Sequence, residues 1–296
     1  MRIRGKIHMI ELDNKIIGIV VNRRIEFFYF QNSQMNVFKR YLYVDNWIDL
    51  DYSENRVKKG SFLAHPVKFV YRIEAIGKFD HIIYYDKVNL NGSLKEFLNS
   101  FDNTMFLDLE MTMPSYNYKG KAFRAEVIQA GLVIFDKDGK ELLRYSNYIK
   151  PKLLPKLSKR ALDFLSIEEE DFEKNSIRYE QFYDDFHNMI TKYNPAIIVY
   201  GKNDSIVLND SYEINYMPSL KNKTRFVNIL QLIKNFYELR NDPGLFKLYN
   251  VYFDVENNPQ LHDAFDDCYK TYKVFEAFKK DLETKESMKK IRENFD

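Results

Sequence analysis

Asp108 and Glu110 stand two apart in FLDLEM, so on a strand their carboxylates point to the same face. Asp204 follows a short apolar run in IIVYGKND, and Asp267 lies in LHDAFDD, five residues after His262. Unpaired carboxylates gathered at one point repel one another, so such a group makes sense only around cations. Oxygen ligands without thiols select hard ions, Mg²⁺ or Mn²⁺. Two such ions about 3.5–4 Å apart form the clamp used for in-line attack on phosphodiesters. A histidine, with an ordinary pKa of about 6.5, suits removal of a proton from the attacking water near neutral pH. Each fragment alone has a plainer reading: a solvated strand, a capping histidine, an ordinary helix charge. Their occurrence together, in this order, favours the metal reading.

The elements around these residues are of the kind that would bring them together. Met105–Glu110, Glu126–Phe135 and Glu141–Ile149 read as strands, the last two joined by a turn at Asp136–Lys140. Helical patterns follow at Lys159–Leu165 and Tyr179–Tyr193, and Ala196–Tyr200 is a short apolar run of the buried-strand type. Arg225–Asn228 leads into a helix over Ile229–Leu239, and a last long helix starts near Asp263 and passes Phe278. Strands first, then alternating helices and strands, predict an α/β domain over 101–282 with a mixed sheet flanked by helices. Ligands gather at the carboxyl edge of such sheets, where three carboxylate-bearing segments would meet. Residues 283–296 carry charge on every face and read as a solvated helical extension.

FLDLEMTMPSYNYKGKAFRAEVIQAGLVIF, then IIVYGKNDSIVL, then LHDAFDDCYKTYKVF resembles the three motifs of the DnaQ-like DEDDh 3′→5′ exonucleases. DLEMTMP, EVIQAGLV and YGKND resemble the KapD/Eri-like branch, which is associated with RNA trimming. LSKRALDFLSIEEEDF and DPGLFKLYNVY resemble further family segments. The resemblance implies an RNase H-like fold, with Asp108, Glu110, Asp204 and Asp267 as ligands of two Mg²⁺ or Mn²⁺ and His262 as general base. The histidine-to-aspartate spacing of the family selects Asp267 over Asp263 and Asp266. Met111, Thr112 and Met113 fall where family members pack the terminal nucleotide; plain core packing is the competing reading for the two methionines.

The first hundred residues read differently, as short strands at Lys6–Leu12, Lys15–Val21, Ile25–Phe30, Val67–Ile76 and His81–Val88. Five strands with few helices predict a small all-β barrel over 1–100. KIHMIELDNKIIGIVVNRRIEFFYF resembles the first three strands of cold-shock and other OB-fold barrels. That resemblance places nucleic-acid contacts around Lys15, Arg23, Arg24, Phe27, Phe28 and Tyr29; a scaffolding or dimerisation role is the alternative. This third of the chain holds 16 Lys+Arg against 11 Asp+Glu, a surplus that favours a polyanion, while the whole chain carries only +2.

Composition narrows the remaining classes. An apolar share of 45% and a charged share of 30% suit a globular protein with a substantial core. The single cysteine, Cys268, excludes a disulfide framework and a thiolate zinc cage. No apolar run reaches membrane-spanning length, and the opening residues lack the apolar core of a secretory signal, which predicts a cytoplasmic protein with no membrane partner. Together these features predict a metal-dependent 3′→5′ exonuclease acting on single-stranded RNA or DNA, with the barrel gripping the strand. Two alternatives share the fold: a nucleic-acid-binding platform without catalysis, and a proofreading subunit of a polymerase.

Overall fold

The computed structural model describes all residues except 22, 78–80, 121, 155, 221–223, 240, 256–261 and 296. The chain divides into two units, Met1–Leu94 and Lys95–Asp296. The first unit contains β1 (Arg2–Glu11), β2 (Ile16–Val21), β3 (Arg24–Tyr29), α1 (Asn32–Phe38), β4 (Trp47–Tyr52), β5 (Val57–Lys59), β6 (Phe62–Ile76) and β7 (His81–Asp86). Helix α2 (Lys87–Asn99) follows, and the division between the units falls within it.

Strands β1, β2 and β3 form an antiparallel meander, and β4 pairs with the other edge of β1. The 15-residue β6 runs antiparallel to β4 and parallel to β3, with Phe28 beside His65 and Tyr29 beside Pro66. That parallel contact closes five strands into a barrel, with α1 between the third and fourth, the OB-like arrangement expected from the sequence. Alternate residues turn inward, so Ile7, Ile17, Ile19, Phe28, Ile48, Leu50 and Ile73 fill the interior and α1 adds Met35 and Phe38.

Two expectations need correction here. The fourth barrel strand is Trp47–Tyr52, whereas among the described residues His81–Asp86 pairs only with β6 and lies outside the closed ring. WIDLDY buries Ile48 and Leu50 and turns Asp49 outward, where Arg2 binds its carboxylate at 2.7 and 2.8 Å. Phe28, expected among the nucleic-acid contacts, is fully buried because strand alternation turns it into the barrel. Asn22, between β2 and β3 in the sequence, lies outside the described residues.

The second unit contains β8 (Asn103–Met111), β9 (Val127–Asp136), β10 (Glu141–Ile149), α3 (Lys159–Leu165), α4 (Glu169–Asn175), β11 (Ser176–Ile177) and α5 (Tyr179–Tyr193). It continues with β12 (Ala196–Val199), α6 (Asn203–Ile214), β13 (Arg225–Asn228), α7 (Ile229–Tyr237), α8 (Leu245–Phe253), α9 (Ala264–Thr284) and α10 (Met288–Phe295). Its sheet has the order β11-β10-β9-β8-β12-β13, antiparallel on both sides of β9 and parallel from β8 through β13. Strand β9 is buried along nearly its whole length, which explains its largely apolar sequence. Helix α5 shows the complementary pattern: Tyr179, Phe182, Tyr183, Phe186, Met189 and Ile190 recur at helical spacing and face the core. No described helix is long and apolar enough to cross a membrane.

The C-terminal segment is not a solvated extension. Ile291 of α10 is fully buried, and Arg292 donates to the Tyr237 carbonyl at 2.9 Å and pairs with Glu238. Asp281, near the end of α9, accepts from the Ser287 N–H and the Tyr237 hydroxyl. One apolar side chain and two polar anchors dock a helix whose composition alone suggests exposure.

Candidate active site

Asp108 and Glu110 lie on one face of β8, in register with Gly131 and Gln129 of β9. Gly131 is required there. A Cβ at this position would lie 2.1 Å from the Ala264 carbonyl carbon and 2.2 Å from the Phe265 nitrogen. Its absence lets the start of α9 press onto the sheet beside Asp108. Gln129 fixes the same approach: its amide donates to Asp263 Oδ2 at 2.8 Å and accepts from the Ala264 N–H at 3.2 Å. Asp263 in turn caps α9 by accepting from the Asp266 N–H. Asp267 thereby reaches the site from the first turn of α9.

Asp204 arrives from the other side of β8. The parallel pairing of β12 with β8 ends at Ile198 and Phe106, and the chain turns at Gly201, whose φ of +109° favours glycine. The Gly201 N–H is held by Asn228 Oδ1 at 3.1 Å. Helix α6 then begins with Asp204 in its first turn, and Asp204 Oδ1 accepts from the Leu109 N–H at 3.1 Å. A strand amide left free by the end of the ladder thus positions the third carboxylate.

Ligand atoms of Glu110, His262 and Asp267 all lie within 4.8 Å of one another. Asp267 Oδ1 is buried without a hydrogen-bond partner, and Lys270 Nζ stands 3.9 Å from it. Burial, then repulsion from Asp204, Asp267 and Glu110, holds the Asp108 carboxyl well above the ordinary range. Burial pushes Glu110 up to about 7, helped by Asp204 and Asp263. It also pushes Asp267 up to about 7, opposed by Lys270. Burial raises Asp204 to about 6, against the Leu109 N–H, which favours its charged form. These groups are acceptor-rich, short of donors and costly to ionise alone, the conditions that suit a hard divalent cation.

His262 stacks on Phe164 of α3, with ring centroids 3.7 Å apart and planes 22° apart. Burial lowers its pKa, which keeps the imidazole in the neutral, proton-accepting form. Ser158 sets α3 in place: it caps the helix through the Ala161 N–H and donates to the Met113 carbonyl just beyond β8. Cys268 is buried beside Asp267 as a small apolar residue.

The structure brings Asp108, Glu110, Asp204, His262 and Asp267 together. Met111, the last residue of β8, and Thr112 and Met113 just beyond it have other contacts. Met111 and Met113 pack against separate apolar clusters. Thr112 is buried, and its hydroxyl accepts from the Glu126 N–H at 2.9 Å, closing the base of the β8–β9 loop. In the barrel, Arg23 and Arg24 are exposed while Lys15 is half-buried in a turn. Phe27 and Tyr29 face outward, Phe27 edge-on to Phe62 and Tyr29 beneath Lys59 at 4.3 Å. Sequence reasoning passed over Gln129, Gly131 and Phe164. The available signal was a lone glutamine and a lone glycine inside the apolar run VIQAGLVIF, where each needs a reason to be present.

Residues 105–275 match the exonuclease family RNase T. The chain is 31% identical over 189 residues to a Bacillus subtilis (strain 168) protein named "Probable 3′-5′ exonuclease KapD", covering 64% of this chain and 90% of that one. It is 24% identical over 183 residues to the 3′-5′ exonuclease crn-4 of Caenorhabditis elegans, covering 57% of this chain and 60% of that protein. Among solved structures, the nuclease domain of 3′hExo, a DEDDh family member bound to rAMP, superposes with a TM-score of 0.51 at 16% identity. That match covers 62% of this chain and 94% of the domain. The structure of cell-death related nuclease 4 gives 0.51 at 19% identity, covering 62% and 64%. With a family match over more than half its length and a fold shared with these nucleases, the chain belongs to the exonuclease family.

Proposed function

We propose that this 3′-5′ exonuclease releases nucleoside 5′-monophosphates one at a time from single-stranded RNA or DNA, using two Mg²⁺ or Mn²⁺ ions held by Asp108, Glu110, Asp204 and Asp267. The observation that carries the reading is the convergence of carboxylates from β8, α6 and α9 beside His262, with Asp267 Oδ1 buried and without a hydrogen-bond partner. When bound, the ions supply charge neutralisation at the phosphoryl group and a more acidic water.

Each residue has a task in this scheme. Asp108 and Glu110, on one rigid strand, fix the spacing of the site. Asp267 joins them through the Gly131 and Gln129 contacts, and Asp204 closes the far side through the Leu109 amide. His262 Nδ1 or Nε2 takes the proton from the attacking water, its ring orientation set by Phe164. The bond between phosphorus and the 3′-oxygen of the remaining strand then breaks, that oxygen takes a proton from solvent to become the new 3′-hydroxyl, and the released nucleoside keeps the phosphate. Most of the rate enhancement comes from positioned charge rather than from covalent chemistry.

The barrel supplies a second single-strand contact through Arg23, Arg24, Phe27 and Tyr29, which join cationic groups with aromatic rings on its outer face. The test is to incubate the purified protein with matched RNA and DNA oligomers, free or blocked at the 3′ end, with Mg²⁺, Mn²⁺ or EDTA. The reading predicts a ladder of products shortened from a free 3′ end, released mononucleotides and no cleavage in EDTA. Internal cleavage of a 3′-blocked strand would contradict it.

A further inference from the structure

A cleft of about 830 Å³ opens from the carboxylates along the second unit. Asp108 and Asp267 line one part of it, and Lys247 and Asn250 of α8 with Lys290 and Asn294 of α10 line another. Helix α10 lies beyond the residues that match the exonuclease family, which end at 275. Its presence in the wall is built into the fold by the burial of Ile291, the grip of Arg292 on Tyr237 and Glu238, and the Asp281 cap on Ser287.

We propose that Lys247 and Lys290 bind a phosphate of the substrate strand other than the one being cleaved, making α10 a substrate-binding wall of this nuclease. The proposal rests on the exonuclease reading above. The cleft is near the upper end of the 300–1,000 Å³ typical of small-molecule sites, so it has room for more than the reacting phosphate. A strand whose scissile phosphate sits at Asp108 and Asp267 must carry its next phosphates along the cleft, where an acidic lining would repel them. Lys247, Asn250, Lys290 and Asn294 line that stretch, with the carboxylate of Asp254 among them.

Both amines are held in place. Lys290 pairs with Asp254, and Lys247 donates to the Asn294 carbonyl at 3.0 Å while lying 4.8 Å from the Phe295 ring centroid. Asp254 is a largely exposed carboxylate at the same rim. In the proposed complex it is displaced when a phosphate takes the amine. Lysine acts here as a point charge, so it serves a phosphate without reading the base.

The test compares wild type with the Lys247→Ala/Lys290→Ala double variant on two substrates in Mn²⁺. One is a single-stranded 20-mer. The other is the p-nitrophenyl ester of thymidine 5′-monophosphate, which has a scissile phosphate and no second one. On the 20-mer, KM should rise roughly tenfold or more, as expected for two lost charge-assisted contacts. The log–log dependence of binding on salt should become shallower by about 0.7, the value for one neutralised phosphate on a single strand. Lys247→Arg/Lys290→Arg should restore both. An unchanged KM and salt slope would overturn the proposal, as would a parallel fall in ester turnover, which would make α10 only a support for the fold. If wild type cleaves neither substrate, it is the exonuclease reading that fails.

Discussion

Glu74 in the barrel and Asp267 in the nuclease unit are both nearly sealed from solvent, at 2% and 6% exposure. Arg4 and Arg72 bind the two oxygens of Glu74 at 2.6 and 2.7 Å. Asp267 has a buried oxygen with no hydrogen-bond partner, faces Asp108 and Glu110, and has one amine, Lys270 Nζ, 3.9 Å away. The difference is not one of burial depth, because other acids of the nuclease unit follow the barrel's pattern. Glu126 accepts the Lys152 and Leu153 N–H groups at 2.6 and 2.8 Å, and Asp281 accepts a hydroxyl and a backbone N–H. A buried carboxylate that collects donors organises the fold, whereas several that face one another mark a place for positive charge from outside the chain.

Substitution should separate the two kinds of acid. Asp108→Asn or Asp267→Asn should cut turnover with Mg²⁺ by on the order of 10³-fold, because the charge on the reacting phosphate loses its counterpart. The melting temperature of either variant in EDTA should hold or rise, since a repelling charge has gone. His262→Ala should cost roughly 10²–10⁴-fold in turnover while Mn²⁺ binding persists. Glu74→Gln should do the reverse: turnover on a short oligomer stays near wild type, while stability to urea falls by on the order of 1–3 kcal/mol. An Asp267→Asn protein less stable than wild type in EDTA would erase the distinction.

Gly131→Ala tests the packing that brings the acids together. Its methyl group would meet backbone atoms at 2.1 and 2.2 Å, so α9 must move away from the sheet. A loss of about 1–3 kcal/mol in urea unfolding, with weaker Mn²⁺ binding, is expected.

The smallest effect is on pH dependence. Glu110 and Asp267 are raised to about 7 and Asp204 to about 6, from ordinary values of 4.5 and 3.8. Between the ordinary and raised values the folded protein holds protons that the unfolded chain has released. Without metal, these groups therefore make stability fall as pH rises toward 7, after which their contribution levels off. His262 acts oppositely, because its lowered pKa makes the folded state resist a proton below pH 6.5. One such group is outweighed by the carboxylates. Melting in EDTA should thus occur at a lower temperature at pH 8 than at pH 5.5, and saturating Mg²⁺ should remove the difference. A higher melting temperature at pH 8 in EDTA would count against the cluster.

The acids and histidine of the site were legible in the sequence because their chemistry needs particular residue types, and the strands and helices around them because their periodicity is strong. The supports were harder to see. Gln129 and Gly131 act through close approach to α9, a long-range contact that local pattern does not encode. The β4 strand escaped because WIDLDY spends its outward positions on acids paired at long range, Asp49 with Arg2 and Asp51 with the Met1 amino group. Helix α10 looked solvated because one isoleucine, Ile291, supplies its buried side chain, while its other anchors are polar. Phe28 shows the opposite hazard, an aromatic residue suited to base stacking that the barrel uses as core.

Titration of EDTA-stripped protein with Mn²⁺, followed by calorimetry, addresses the central claim most directly. Two bound ions per chain in wild type, with fewer in Asp108→Asn, are the predicted result. No binding, or binding that is the same in both proteins, would show that the four acids do not form a metal centre.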